Sequence, residues 1–141
     1  FGRISFLGYW VGYHYLIEPS GAFEQTRSID ERGYHTYDER TGKDYGDYIG
    51  IALAGNFNLQ DPTKKQLDAL RRILISDLRI KRKDVFLHRD LDQTACPGSG
   101  ITHEVIDKIY EKSKDITAAR RLLLKGRRYL KLALRLIYKH K

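Results

Sequence analysis

Residues 88–98 read HRDLDQTACPG, which places a histidine and a cysteine eight positions apart, at His88 and Cys96. The apolar run at 85–87 predicts that His88 ends a buried strand and that Cys96 lies in the loop after it. Imidazole and thiolate are both good zinc ligands, and a catalytic zinc site needs three protein ligands and one open position for water. On spacing alone, the pair also fits a strand-end histidine and a small buried cysteine, because one His and one Cys are common by chance.

The chain before this stretch is predicted to form further strands. Residues 11–17 are rich in aromatic and β-branched side chains, and residues 22–26 can pair back on them through a turn at 19–21. Residues 49–55 are almost wholly apolar, which is typical of a strand buried on both faces. The polar stretch 30–48 shows no period and is predicted to be a long loop, a kind of segment that is often functional.

Two helices accompany these strands. Thr63 and Gln66 have capping-box spacing, and Thr102 can cap a second helix. Apolar residues then recur on one face of each helix, at Leu67, Leu70, Ile73, Leu74 and Leu78 in the first and at Val105, Ile106, Ile109 and Tyr110 in the second. Buried strands joined by helices predict an α/β fold, with a central mixed β-sheet flanked by helices and a basic helix at the C-terminus.

Charge divides the chain unevenly. Its net charge is +8, yet residues 117–141 hold nine Lys or Arg and no acidic residue, which leaves −1 for residues 1–116. We therefore expect a domain over 1–113 and a basic amphipathic helical tail over 114–141. The tail fits an anionic membrane, an anionic wall polymer or nucleic acid, or a helix packed on its own domain. Nucleic acid is disfavoured because the domain itself carries no basic excess.

Composition excludes several classes of protein. A length of 141 residues suits one domain, on a prior of roughly 100 to 200 residues per domain. The single cysteine rules out a disulfide within the chain. No apolar run approaches the roughly 18 residues of a membrane span. The first residues lack the basic start and apolar stretch of a signal peptide.

Four segments before and around His88 resemble, in order and spacing, the type 2 N-acetylmuramoyl-L-alanine amidases. This family includes phage lysozyme-type amidases and the animal peptidoglycan recognition proteins. The resemblance covers about residues 11–110 and rests on the zinc signature at 88–98 together with segments 12–17, 33–36, 49–57 and 62–67. Each segment is weak alone, but four in the family's order are specific.

The resemblance implies a role for seven residues. His88 and Cys96 would be two of three zinc ligands, and zinc would activate a water for attack on an amide carbonyl. Tyr13 would direct its hydroxyl at that water or carbonyl, and the Thr94 hydroxyl could donate to a developing oxyanion. The implied substrate contacts are His35, Asn56 and Arg27. Read without the resemblance, Tyr13 is a core tyrosine and His35 a solvated loop residue.

The chain departs from the family pattern in two places. Ala52 stands where the intracellular recycling branch has a Glu, so the chain resembles the branch that uses a tyrosine and a cysteine ligand. The family's first zinc ligand is a histidine on an earlier strand, and residues 1–10 contain no His, Asp, Glu or Cys. That ligand is expected upstream of Phe1, with the family's first strand and helix. His14 is a poor substitute because alternation along a strand points it away from Tyr13.

These features predict a zinc-dependent hydrolase of the amide bond between N-acetylmuramic acid and L-alanine in peptidoglycan. The alternative is a catalytically inactive peptidoglycan-binding module with the same groove. The expected partners are Zn²⁺, peptidoglycan or its muropeptides, and an anionic membrane or wall polymer at residues 117–141. We expect a monomer, and the substrate favours the cell envelope or a secreted location.

Overall fold

A computed structural model describes the backbone of residues 3–4 and 10–138 and the side chains of residues 12–124. Its strands are short: β1 (Arg3–Ile4), β2 (Trp10–Val11), β3 (Tyr15–Ile17), β4 (Phe23–Gln25), β5 (Tyr37–Asp38), β6 (Lys43–Asp44) and β7 (Ile51–Leu53). The helices are α1 (Lys64–Arg71), α2 (His88–Leu91) and α3 (His103–Tyr138).

The central sheet has the order β4-β3-β7 and is mixed, as predicted. β3 pairs antiparallel with β4 and parallel with β7. The β3–β4 hairpin turns at Gly21, whose φ of 84° suits glycine. The strand predicted over 11–17 is interrupted before Tyr15, because the N–H groups of His14 and Tyr15 both donate to the Gly50 carbonyl, at 2.8 and 3.1 Å.

The predicted loop at 30–48 contains a small hairpin. β5 and β6 pair antiparallel, with Asp38 opposite Lys43. The Asp38 carboxylate closes the turn by accepting from the Arg40 N–H at 3.0 Å and the Thr41 hydroxyl at 2.6 Å. These hydrogen bonds hold the pKa of Asp38 below its usual range, the bond from Thr41 first. The segment therefore has its own local order between β4 and β7.

The predicted start of α1 is confirmed. The Thr63 side chain accepts from the Gln66 N–H at 3.1 Å, and the Gln66 side chain accepts from the Thr63 N–H at 3.0 Å. The helix continues as a wider π-type turn over Arg72–Asp77. Most of its predicted apolar face is buried against the sheet and α3, in a core formed by Tyr15, Ile17, Phe57, Leu70, Ile73, Leu74, Leu87, Ile101, Ile106 and Ile109.

The prediction of a third strand ending at His88 was wrong. Val85 and Leu87 have extended backbones, but the segment pairs with no strand among the described residues. His88 instead begins the short helix α2. β7 also differs from expectation, because its residues are only partly buried. Its outer edge has no neighbouring strand in the described part of the chain.

The C-terminal helix is present and longer than predicted. α3 begins after Thr102, whose hydroxyl accepts from the Val105 N–H at 3.3 Å, and continues to Tyr138. Ile106 and Ile109 are buried, and the Tyr110 hydroxyl donates to the Ile80 carbonyl at 2.9 Å. The same helix runs through the predicted boundary at 113–114, so domain and tail share one element. None of the described helices is long and apolar enough to cross a membrane.

Candidate functional site

A cavity of about 680 Å³ lies beside the outer edge of β7. β7 lines it together with the extended segment at 84–88, and side chains of α1 and α3 contribute apolar surface. Polar groups also reach it, namely those of Tyr13, His35, Tyr48, His88 and Cys96. The cavity therefore combines an apolar lining with a few polar side chains, which is the usual composition of a ligand site.

Tyr13 and His35 form one unit at the cavity. Their rings stack with centroids 5.5 Å apart and planes 14° apart. His35 Nε2 lies 2.9 Å from the Tyr48 carbonyl, so it carries a proton and donates there, while Nδ1 lies 3.1 Å from the Thr36 hydroxyl. Burial lowers the pKa of His35, so its ring is neutral at neutral pH. A rigid, uncharged imidazole therefore holds the Tyr13 ring in place.

His14 is a scaffold residue. It is 1% exposed, its Nδ1 accepts from the Gly50 N–H at 3.1 Å, and its Nε2 donates to the Glu31 carbonyl at 2.7 Å. Both ring nitrogens are thereby used within the protein. His14 directly precedes β3 and is bonded to Gly50, which directly precedes β7, so it joins the starts of the two strands and is no candidate for a metal ligand.

His88 differs from His14 in its hydrogen bonding. Both of its ring nitrogens are buried, and neither has a hydrogen-bond partner. The nearest carboxylate oxygen, Asp92 Oδ2, lies 3.6 Å from Nε2, which is beyond hydrogen-bond reach. Buried polar atoms are nearly always paired, and leaving one unpaired costs about 1–3 kcal/mol. This exception on a cavity wall points to a ligand.

Cys96 is a free thiol on the same cavity. Its loop is held by Arg89, whose N–H donates to the Cys96 carbonyl at 3.1 Å and whose guanidinium donates to the carbonyls of Gly98 and Ile101. Although the residue as a whole is exposed, partial burial raises the pKa of the thiol, and the Arg89 charge opposes that rise. Without a metal, the sulfur keeps its proton at neutral pH.

Tyr13 connects the His35 side of the cavity to Cys96. Burial raises the pKa of its hydroxyl, and the nearby Cys96 charge raises it further. The phenol therefore stays protonated and can donate a hydrogen bond to an oxygen in the cavity. A protonated donor in a partly apolar cavity is suited to an oxygen that gains negative charge.

Three predicted site residues lie apart from this group. The Thr94 hydroxyl accepts from the Cys96 N–H at 3.2 Å and helps to shape the loop, but Thr94 is not on the cavity wall. Asn56 is exposed, and its side chain accepts from the Asn58 N–H at 3.2 Å. Arg27 is 5% exposed and stacks its guanidinium on the Tyr34 ring, 5.1 Å from the centroid.

Sequence reasoning missed two aromatic residues at the cavity. Tyr48 and Phe86 lie with ring centroids 6.1 Å apart and are 43% and 48% exposed. Tyr48 belongs to the polar stretch 30–48, and Phe86 lies inside an apolar run, so neither stands out in the sequence. Exposed aromatic surface on a cavity is well suited to apolar contact with a ligand.

The cavity supplies two donors suited to zinc, the His88 imidazole and the Cys96 thiolate. The orphaned nitrogens of His88 are the observation that supports a metal there. Among residues whose side chains are described, no group of three or more His, Cys, Asp or Glu is close enough to hold a metal ion. His88 and Cys96 therefore share the cavity without forming a complete metal site among the described side chains.

Comparison with known proteins gives a consistent result. The model of the N-acetylmuramoyl-L-alanine amidase family matches residues 3–99. Peptidoglycan-recognition protein SD of Drosophila simulans is 32% identical over 95 residues, covering 64% of this chain and 48% of that protein. A peptidoglycan recognition protein of Trichoplusia ni is 31% identical over 104 residues, 70% of this chain and 54% of that protein. The chain spans about half the length of these curated relatives.

A solved structure is also similar. N-acetylmuramoyl-L-alanine amidase LysC from Clostridium intestinale URNW matches with a TM-score of 0.57 and 30% sequence identity, over 72% of this chain and 66% of that one. The matched fold is the mixed sheet with flanking helices that the sequence predicted. The family match covers most of the chain, including Tyr13, His35, His88 and Cys96. The chain therefore belongs to the N-acetylmuramoyl-L-alanine amidase family.

Proposed function

We propose that this chain is part of a zinc-dependent enzyme that hydrolyses the amide bond between N-acetylmuramic acid and L-alanine in peptidoglycan. Family membership supports a peptidoglycan ligand. The observation that carries the catalytic proposal is the pair of buried, unpartnered nitrogens on His88, on a cavity shared with Cys96 and Tyr13. A structural histidine in that position would have partners, as His14 does.

In this proposal His88 and Cys96 hold the metal. When bound, zinc would supply Lewis acidity and activate water for attack on the amide carbonyl. Cys96 must lose its proton on binding, so affinity for the metal falls as pH falls. The third protein ligand remains a prediction.

The remaining residues position the reacting groups. Tyr13 donates a hydrogen bond to the carbonyl oxygen as negative charge develops on it, and the stacked His35 keeps the Tyr13 ring in place. Tyr48 and Phe86 offer apolar contact for the substrate beside β7. An oxyanion contact from Thr94 and substrate contacts from Asn56 and Arg27 remain predictions.

A second function is favoured by one observation. Among the described side chains, no group of three or more His, Cys, Asp or Glu could hold a metal ion. With no third ligand, the same cavity would bind the peptide stem and cleave nothing. Such a module would keep the aromatic wall and the Tyr13–His35 stack as contacts, and its His88 and Cys96 would have no chemical role.

Metal content and turnover together separate these functions. The protein translated from the complete gene is purified, loaded with zinc and assayed for release of stem peptide from soluble muropeptides. We expect about one zinc per chain and cleavage in the wild type. We expect Cys96→Ser to lose most of both, because thiolate is the softer and stronger ligand. His103→Gln is the matched control, since His103 is an exposed histidine hydrogen-bonded to Asp90 away from the cavity.

Two results would contradict the enzyme. Equal zinc content in wild type and Cys96→Ser would remove Cys96 from the metal site. Tight muropeptide binding by a wild-type protein that holds no zinc and releases no stem peptide would establish the binding module instead.

A further inference from the structure

Helix α3 passes through two different environments. Its first turns pack on the domain, where Ile106 and Ile109 are 3% and 4% exposed and Lys112 forms an ion pair with Asp68. From position 114 to 124, every residue is exposed. We call residues 114–138 the projecting segment, because in its described part it has left the core that holds the start of the helix.

The projecting segment exposes large apolar side chains. Leu122, Leu123 and Leu124 are 70%, 71% and 58% exposed, and Ile116 is 49% exposed. Exposed apolar residues in isolation are ordinary, but Ile116 and Leu123 recur at seven-residue spacing on one side of the helix, which favours an interaction surface. None of these side chains belongs to the core of the described residues.

Helical spacing sorts the projecting segment into two faces. In the sequence, Ile116, Ala119, Leu123, Leu130, Leu134 and Ile137 follow one another by three, four or seven positions, which is the spacing of one apolar stripe on a helix. By the same spacing, Arg121, Lys125, Arg128 and Arg135 belong to the other side, and so does Leu124. A helix with one basic and one apolar face is suited to the interface between an anionic bilayer and water.

Charge decides between the possible occupants of this surface. A second copy would bring the same positive charge to the contact, and residues 117–141 offer no acidic residue to pair with it. A soluble polyanion would neutralise the basic face but leave the leucines in water. An anionic bilayer uses both faces, because headgroups attract the basic residues and acyl chains take up the apolar stripe.

We propose that the projecting segment is a membrane-surface helix that holds the amidase domain on bilayers rich in anionic lipid. The helix lies in the plane of the headgroups with Leu123 on its buried side. This activity is separate from amide hydrolysis, because the segment begins after the last cavity residue, Ile106, and none of its described side chains, at 114–124, lines the cavity.

The test is co-sedimentation of the full chain with vesicles. One set contains phosphatidylcholine alone, and the other contains equal parts of phosphatidylcholine and phosphatidylglycerol. We expect binding to the anionic vesicles, little to the neutral ones, and weakening as salt rises because exposed charges are screened.

Two neighbouring leucines give a matched pair of variants. Leu123→Asn removes a side chain from the apolar stripe, and we expect binding to weaken about tenfold or more, the usual effect of losing one buried leucine. Leu124→Asn makes the same chemical change on the basic side and is expected to bind nearly as the wild type does. Both residues are exposed, so neither change should affect folding, which circular dichroism checks.

Four outcomes would overturn the proposal. Equal binding to neutral and anionic vesicles would remove the role of the basic face. Equal losses in the two variants, or none in either, would remove the role of the stripe. Binding only to a soluble polyanion such as polyphosphate would also exclude a role for the apolar stripe, because a polyanion offers no apolar region for the leucines to enter. Sedimentation as a dimer that Leu123→Asn dissociates would assign the surface to a second copy.

Discussion

The two sides of the cavity differ in how their polar atoms are satisfied. On the β3 side, His35 lines the cavity and uses both ring nitrogens, with Tyr48 and Thr36. Its neighbour His14, which does not line the cavity, uses both of its own, with Gly50 and Glu31. On the α2 side, both nitrogens of His88 are buried without a partner. The same side-chain type is saturated on one side and unsatisfied on the other, within one cavity.

This difference distinguishes the histidines that stabilise the fold from the histidine that is available to bind a ligand. A saturated histidine stabilises the fold, and replacing it leaves its former partners unpaired. A buried histidine without hydrogen-bond partners lowers the stability of the ligand-free protein, and a ligand that binds to its nitrogens restores that stability. Tyr13 connects the two sides, since its ring stacks on His35 and it shares the cavity wall with Cys96.

The largest expected effect is the loss of turnover in Tyr13→Phe. The variant keeps the ring that stacks on His35 and removes only the donor, so turnover should fall by roughly 10²- to 10³-fold, as for other single oxyanion donors. Thermal stability should change little. The measurement is kcat for stem-peptide release by the zinc-loaded protein.

Tyr48→Phe serves as the control for that variant. Tyr48 is a cavity tyrosine whose carbonyl, not its hydroxyl, binds His35, so most of the turnover should remain. If Tyr13→Phe cleaves muropeptides at the wild-type rate, the Tyr13 hydroxyl takes no part in catalysis and the residue only supports the fold.

A smaller but more direct contrast comes from two leucine substitutions. His14→Leu removes the acceptor of the buried Gly50 N–H, so the free energy of unfolding should fall by about 2 kcal/mol. His88→Leu removes two unpaired nitrogens, so in metal-free protein it should be close to neutral or stabilising. Urea unfolding in the presence of a chelator measures both. A loss in His88→Leu as large as in His14→Leu would mean that the His88 nitrogens are satisfied in solution.

The smallest expected effect concerns pH. Burial places the pKa of His35 below its ordinary value of 6.5. As pH falls through that ordinary value, the unfolded chain binds a proton at His35 that the folded chain resists, so the free energy of unfolding falls. His35→Gln retains a donor for Tyr48 but cannot titrate. Its melting temperature should therefore drop less between pH 7.5 and 5.5 than that of the wild type, and an equal drop would place the titration elsewhere.

Local patterns explain why the helices were predictable. The Thr63–Gln66 capping box and the apolar faces of α1 and α3 depend on neighbours three or four residues away, and the structure has both starts in place. The β3–β4 hairpin was predictable for the same reason, since its turn and both strands lie within residues 15–25. A strand within residues 49–55 and a mixed sheet were predicted, but the parallel pairing of β3 with β7 was not, and it is seen only in the structure.

Contacts between distant residues account for what sequence reasoning missed. An apolar run such as 85–87 has the composition of a strand, yet strand pairing needs a neighbour, and the edge of β7 lies across the cavity from it. Tyr48 and Phe86 meet across 38 positions of sequence, which no local pattern encodes.

The α/β class, the helix starts and the uneven charge could be read from the sequence, because each follows from local spacing or residue chemistry. The residues to consider at the site came from the family resemblance. The fold itself was needed to show that both nitrogens of His14 are hydrogen-bonded while those of His88 are not, and that Arg27 is buried beneath Tyr34, away from the cavity. The physical reason is that the satisfaction of a polar atom depends on which backbone groups the fold brings within about 3 Å of it.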